Sequence, residues 1–312
     1  MIQTKILDGK SVAKAIREET LEEIKQLRQR GLVPGLSAVI VGEDPASLLY
    51  VKSKTRTCAE LRMYSETVQL PNQITTEKVI EVIHRLNHKK TIDGILVQLP
   101  LPKHIDEEAV LSNVLPEKDV DGFHPENIGK LFAGKTSLAP CTPMGIIALL
   151  RREGIQIKGR EAVVVGRSNI VGKPMALLLL QRHATVTICH SRTRELSSVC
   201  RRADILVAAV GKAAFLTRSY LKKHVVIIDV GINRVESEEE VIKLFGKDPL
   251  RVEQIKKKGY TLVGDVHPRH PIGIAAAVSP VPGGVGPLTI AQLIKNTVTA
   301  CRLRHGSKYV RD

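Results

Sequence analysis

The sequence predicts an α/β protein of two domains, each a parallel sheet flanked by helices. Three observations carry that prediction. Short aliphatic runs alternate with stretches of helical periodicity along nearly the whole chain, which is the pattern of β-α-β units. Aromatic residues make up only 3% of the 312 and tryptophan is absent, although 43% are hydrophobic. Aliphatic side chains must therefore fill the core, as buried parallel strands require. The alternation restarts near Gly159 with a strand that runs into a glycine-rich turn, which marks a second, doubly wound unit.

The elements follow in order. A helix is expected over 11–30, where apolar residues recur at helical spacing among many charges. Residues 35–42 form a strand closed by Gly42. Asp44 and Pro45 then start a helix, with aspartate as N-cap and proline at the first helical position. That helix carries Tyr50 and Lys54. A strand at 66–70, a helix at 76–87 and a strand at 94–98 come next, and helices follow at 107–114 and 143–152. In the second domain, strands at 162–165, 185–189, 205–210 and 225–230 alternate with helices at 172–181 and 193–201. A last helix over 288–303 follows the loop Pro280-Val281-Pro282-Gly283-Gly284-Val285-Gly286-Pro287. A loop so rich in proline and glycine is expected to sit close to another part of the molecule, so the last helix should return to the first domain. The boundaries expected are 1–145, completed by 280–312, and 146–279.

Composition narrows the function. The formal net charge is +15. The bases are scattered, and few aromatics are available to stack on bases. The charge therefore reads as solubility plus attraction for anionic ligands, and no nucleic-acid partner is expected. The densest basic run, Lys256-Lys257-Lys258, falls on an expected surface helix. The five cysteines, Cys58, Cys141, Cys189, Cys200 and Cys301, form no Cys-x-x-Cys pair. Neither a disulfide framework nor a metal site is expected. The start of the chain has no signal-peptide core and no apolar run is long enough to span a bilayer, so a cytoplasmic protein without membrane contact is expected.

Several residues could carry chemistry. Tyr50 and Lys54, four apart on a helix, share one face. Gln98 ends an apolar strand, so its amide should emerge at the carboxyl edge of a sheet, where ligands bind in open α/β folds. An amine buried near that amide could move protons near neutral pH. Asp119 and Asp121 alternate before Gly122; they are either turn residues or two acids facing one cationic or amide-bearing ring. His124 is given no catalytic role. Gly166-Arg167-Ser168-Asn169-Ile170-Val171-Gly172 follows a strand and opens a helix, the context of a dinucleotide turn, although serine stands where the second glycine is usual. The next strand ends in Cys189-His190-Ser191-Arg192-Thr193 with no acid for the ribose hydroxyls. That composition suits the 2′-phosphate of NADP rather than NAD.

Taken together, the segments resemble the bifunctional methylenetetrahydrofolate dehydrogenase/methenyltetrahydrofolate cyclohydrolase family. The matching strings run from 50–54, 93–102 and 116–124 through Pro140-Cys141-Thr142-Pro143 and 166–174 to 229–233, 264–266 and 280–289. The resemblance implies an N-terminal catalytic domain, a Rossmann-like NADP-binding domain and a homodimer. It implies oxidation of 5,10-methylenetetrahydrofolate with NADP+, then hydrolysis of the methenyl cation to 10-formyltetrahydrofolate. By motif position, Lys54 would be the acid–base lysine of the hydrolytic step, tuned by Gln98. Tyr50 would stack on the folate, Asp121 would hold the pterin, and Pro280 and Gly284 would contact the substrate. Gly166, Arg167, Ser168, Ser191 and Ile232 would line the NADP site. The family also contains monofunctional dehydrogenases, and the pair Lys54 and Gln98 favours both activities. The charged segments 236–259 and 267–270 are expected to touch none of these motifs.

Overall fold

A computed structural model describes residues 2–306. In chain order its elements are β1 (Lys5–Ile6), α1 (Gly9–Gln29), β2 (Gly35–Val41), α2 (Pro45–Glu60), β3 (Tyr64–Leu70), α3 (Thr76–His88), β4 (Gly94–Val97), α4 (Glu107–Ser112), α5 (Pro125–Phe132) and α6 (Cys141–Arg152). They continue with β5 (Glu161–Val165), α7 (Gly172–Leu180), β6 (Thr185–Cys189), α8 (Leu196–Cys200), β7 (Ile205–Ala208), a 3-10 turn at Arg218–Tyr220, β8 (Val226–Asp229) and β9 (Asn233–Val235). The last are α9 (Glu238–Phe245), α10 (Pro249–Lys258), β10 (Thr261–Val263), β11 (Ala277–Val278) and α11 (Val285–Arg304).

The chain divides into two compact units. The first unit is Lys14–Cys141 together with the chain from Ile290 onward. Its sheet has the order β3-β2-β4, all parallel. Every residue of the central strand β2 is buried. Alternate side chains of β2 feed two cores. Leu36, Ala38 and Ile40 pack with Ile24 and Leu27 of α1, Val51 and Cys58 of α2 and Leu293, Ile294 and Val298 of α11. Val39 and Val41 pack with Val79, Val82, Ile83 and Leu86 of α3. The last helix therefore completes the core of the first unit, as expected.

Polar side chains fix the helix ends. Asp44 caps α2 by accepting from the Ser47 N–H at 2.7 Å, with Pro45 in the first turn. At the far end of α3 the buried Lys118 ammonium donates to the carbonyls of Leu86 and Lys89, both at 3.0 Å. The Leu86 carbonyl also accepts from the Lys89 N–H and the Lys89 carbonyl from the Ile92 N–H, and a cation is favoured at this end of a helix. Burial, with Arg304 nearby, pushes Lys118 down to about 8.

The second unit is Thr142–Thr289 together with the chain up to Ala13. Its six-stranded sheet runs β1-β11-β8-β7-β5-β6, all parallel. The order reverses at β5, which has β6 on one side and β7 on the other, so a topological switch point lies at its carboxyl end. β9 and β10 form a separate antiparallel pair.

Several features depart from the sequence reading. The first residues fall in the second unit, because β1 bonds to β11 and Gly9 lies against Gly284: a Cβ there would be 1.7 Å from the Gly284 carbonyl oxygen. For the same reason 280–289 lie in the second unit rather than with the first domain. α8 is shorter than 193–201, since Glu195 is left-handed (φ 47°) and the Thr193 hydroxyl accepts from the His190 N–H instead. α11 starts three residues early. Pro287 is tolerated there because first-turn N–H groups have no helical partner.

Candidate active site

In the first unit, α2 and the end of β4 bring Lys54 and Gln98 together. Lys54 is only 8% exposed. Its Nζ donates to Gln98 Oε1 at 3.0 Å, and Gln98 Nε2 donates to the Leu99 carbonyl at 2.7 Å. The second bond decides which end of the amide faces the lysine. Tyr50 lies one turn before Lys54 on α2 and is 40% exposed. Gln98 follows β4 at the carboxyl edge, and β2, which leads into α2, is where the strand order of this sheet reverses. The pair therefore sits where ligands bind in such sheets.

Asp121 lies close enough to Lys54 for their charges to interact. Burial pushes its carboxyl up to about 7, against the pull of the lysine. The neighbouring thiol of Cys141 is fully buried and held well above its ordinary range by burial and by Asp121. Asp119 does not share the role of Asp121. Its carboxylate accepts from the N–H groups of Gly122, Phe123 and His124 and from Asn127 Nδ2, at 2.8–3.1 Å. It builds the loop after β4, so the idea of two acids facing one ring does not hold. His124 is structural too: its Nδ1 accepts from the Glu126 N–H and caps α5. Asn296, on α11, donates to the carbonyls of Val120 at 2.8 Å and Ala139 at 3.0 Å. It fixes the backbone on which Asp121 is mounted, a role the sequence did not signal.

In the second unit, the turn after β5 leaves the sheet beside the end of β6. Val165 pairs with Cys189, and the Gly166 N–H donates to the Cys189 carbonyl at 2.9 Å. Gly166 has φ 132°, and a Cβ there would stand 2.1 Å from the Ala209 carbonyl oxygen. A Cβ on Gly172 would stand 2.3 Å from the Gly166 oxygen. Both positions need glycine. The Ser168 hydroxyl accepts from the N–H groups of Val171 and Gly172 and so fixes the turn ahead of α7. Arg167, Ser168, Ser191 and Arg192 are exposed at this edge. Ile232, after β8, is 48% exposed. Pro280 and Gly284 follow β11 at the same carboxyl edge, with the Gly284 N–H bonded to the Pro280 carbonyl at 2.8 Å.

Two buried acids hold these loops. Asp265 accepts from the N–H groups of Val210, Gly211 and Lys212 and from Asn233 Nδ2. Asp229 accepts from the N–H groups of Gly231, Asp265 and Val266, and burial raises its carboxyl. Asp229 ends an apolar run, and both acids fall in the strings 229–233 and 264–266 that carried the resemblance, although their task was not read from them. The charged segment 236–259 is not remote from the motifs, contrary to expectation: Arg251 Nη2 donates to the Val281 carbonyl at 3.1 Å. Among the described residues, Asp93, Cys301 and His305 could together offer metal ligands. The Asp93 carboxylate, however, is already taken by Arg304 at 2.6 Å and by the Gly35 N–H at 3.0 Å.

The chain matches two family models. Residues 7–121 match the catalytic domain of tetrahydrofolate dehydrogenase/cyclohydrolase, and residues 140–305 match its NAD(P)-binding domain. It is 49% identical over 302 residues to the bifunctional protein FolD of Koribacter versatilis, covering 97% of this chain and 98% of that one. The chain belongs to the tetrahydrofolate dehydrogenase/cyclohydrolase family. The solved structure of the family's bifunctional enzyme from Campylobacter jejuni superposes with a TM-score of 0.87 at 40% identity, covering 96% of this chain and 99% of that one. The Trypanosoma brucei enzyme, solved with NADP and an inhibitor, gives 0.88 at 38% identity, covering 98% and 100%. This chain is thus a methylenetetrahydrofolate dehydrogenase and methenyltetrahydrofolate cyclohydrolase with an NAD(P)-binding domain. None of its described helices is long and apolar enough to cross a membrane.

Proposed function

We propose that Lys54, Gln98 and Asp121 carry the chemistry on folate, and that the β5–β6 edge takes NADP in preference to NAD. The observation that supports the first part is a buried lysine bonded at 3.0 Å to an amide oxygen whose orientation is fixed. The Asp121 carboxylate accepts the pterin N–H donors, and Tyr50 lies against the folate rings. In hydrolysis, water adds to the methenyl carbon and the bond from that carbon to N5 breaks. Water gives up two protons: one reaches the departing N5 and one leaves to solvent. Lys54 moves the proton to N5, and Gln98 keeps its Nζ in place. Pro280 and Gly284 contact the substrate from the loop after β11.

When bound, the nucleotide accepts the hydride of the methylene bridge. The residues present fit it. The turn at Gly166 and Gly172 has no room for side chains, and a helix N-terminus follows it, where N–H groups favour phosphate. Gly166 and Ser168 form the turn, and Ile232 offers an apolar face. No acid occupies 189–193 to repel a 2′-phosphate. Ser191 donates to that phosphate, and Arg167 supplies a planar fork of donors. Charge-assisted bonds of about 1.5–3 kcal/mol each give roughly tenfold or more preference for NADP+. The test compares kcat/KM for NADP+ and NAD+ in the wild type and in Arg167→Ala. Loss of the preference in the variant is expected; equal use of both by the wild type, or an unchanged ratio, would refute it.

The protein acts in the cytoplasm as a homodimer in this reading. Its five cysteines are all unpaired and buried, in keeping with a reducing compartment. The edge strand β6, with Ile188 42% exposed, leaves an unpaired row of backbone groups that a second copy could cover. A solution mass near the 34.3 kDa of one chain would rule the dimer out.

A further inference from the structure

Within the second unit, α9, α10, β9 and β10 form a small assembly with a core of its own, Val235, Val241, Leu244, Ile255 and Val263. Neither hydride transfer nor hydrolysis calls for it. Arg251, on α10, ties it to the loop after β11. One arm of the guanidinium, Nη1, donates to the Leu262 carbonyl at 2.6 Å and to the Thr261 hydroxyl at 3.2 Å. The other, Nη2, donates to the Val281 carbonyl at 3.1 Å. The plane is held from two further sides: the guanidinium carbon lies 3.8 Å from the centre of the Phe245 ring, and Asp248 Oδ2 is 3.7 Å from Nε. The side chain is 18% exposed.

The start of the loop is anchored separately, by the Asp229 N–H donating to the Ser279 hydroxyl at 2.8 Å and by the Ser279 N–H donating to the Ile227 carbonyl at 3.0 Å. Beyond Ser279 the loop meets a cavity of about 250 Å³, lined in part by Phe245, Val263, His267, Pro280 and Val281. Arg251 spans one wall of that space. Without its fork, the Val281 carbonyl has room to swing into the cavity. A lysine keeps the charge, but a single ammonium on a flexible stem does not reproduce a planar fork that grips two strands of backbone at once.

We infer that Arg251 is a positioning residue for the loop 280–284, and that the charged segment 236–259 braces that loop for folate. The inference rests on the reading that Pro280 and Gly284 contact the substrate. It deepens that reading by giving the appendage a task in substrate affinity.

The test uses Arg251→Gln and Arg251→Lys in the full-length enzyme. Steady-state rates are measured with methylenetetrahydrofolate and NADP+, and backbone amide exchange in the protein without ligands. In Arg251→Gln, the KM for methylenetetrahydrofolate rises about tenfold, while kcat and the KM for NADP+ stay within twofold. Amides of 279–287 exchange faster, and those of β5 and β7 do not. Arg251→Lys recovers only part of the affinity; it is also the informative variant should the glutamine form fold poorly. Unchanged exchange in 279–287 overturns the inference. So does exchange that quickens across the whole unit with a matching rise in the KM for NADP+, because Arg251 would then be a general structural residue. Faster exchange confined to the loop with an unchanged folate KM upholds the brace and refutes folate contact by Pro280 and Gly284.

Discussion

Asp121 is the residue whose ionisation should be visible in the kinetics. Its carboxyl is pushed up to about 7 by burial, and the nearby Lys54 charge pulls the other way. Only the ionised form can accept two pterin N–H groups. The group is half-protonated near pH 7, so kcat/KM for methylenetetrahydrofolate should climb as pH rises through about 7 and level off above it. Asp121→Asn should give a low, flat profile over the same range. A wild-type profile flat from pH 6 to 8, roughly one unit either side of that value, would contradict the role given to Asp121. The alternation of Asp119 and Asp121 was visible in the sequence, but their division of labour was not. Four donors from residues 122–127 converge on Asp119, and only the folded loop shows that its carboxylate is spent on them. Asn296 escaped notice for a related reason: its partners lie 157 and 176 residues away.

Elements with long apolar interiors or strong caps could be read directly. β2, β4, β5 and β7 fall where their aliphatic runs placed them, and Asp44-Pro45 starts α2 as expected. β1 and β11 have two residues each, and β9 and β10 three, too few to show a period. α10 carries Lys256-Lys257-Lys258 on a surface helix, as expected; its bounds were legible too, since Asp248-Pro249 repeats the Asp44-Pro45 start and Gly259 closes it in the left-handed conformation. The turn between β5 and α7 is the element on which nucleotide binding depends. Gly166→Ala would force a Cβ to 2.1 Å from the Ala209 oxygen at φ 132°. Strain of order 1–3 kcal/mol at such a residue should raise the KM for NADP+ about tenfold or more. Nucleotide-free hydrolysis of methenyltetrahydrofolate should change much less, because Lys54, Gln98 and Asp121 belong to the other unit. An unaltered KM for NADP+ would contradict the placement of the cofactor at this turn.

At the scale of the whole molecule, the function was legible because many motifs fall in one order along one chain. Tyr50 with Lys54 alone, or Gly166 with Gly172 alone, would have decided little. The boundaries between units were less legible, since β1 joins its sheet through partners more than 270 residues away. No local pattern announces such a pairing. The molecule as a whole must perform two reactions, and one side chain should separate them. The decisive measurement is the hydrolysis of methenyltetrahydrofolate, without nucleotide, by the wild type and by Lys54→Met, with NADP+ binding measured in parallel to show that the variant is folded. Loss of a positioned acid–base group should slow hydrolysis by about 10²–10⁴-fold while NADP+ binding persists. Near-normal hydrolysis by a folded Lys54→Met would contradict the assignment of this chemistry to the Lys54–Gln98 pair.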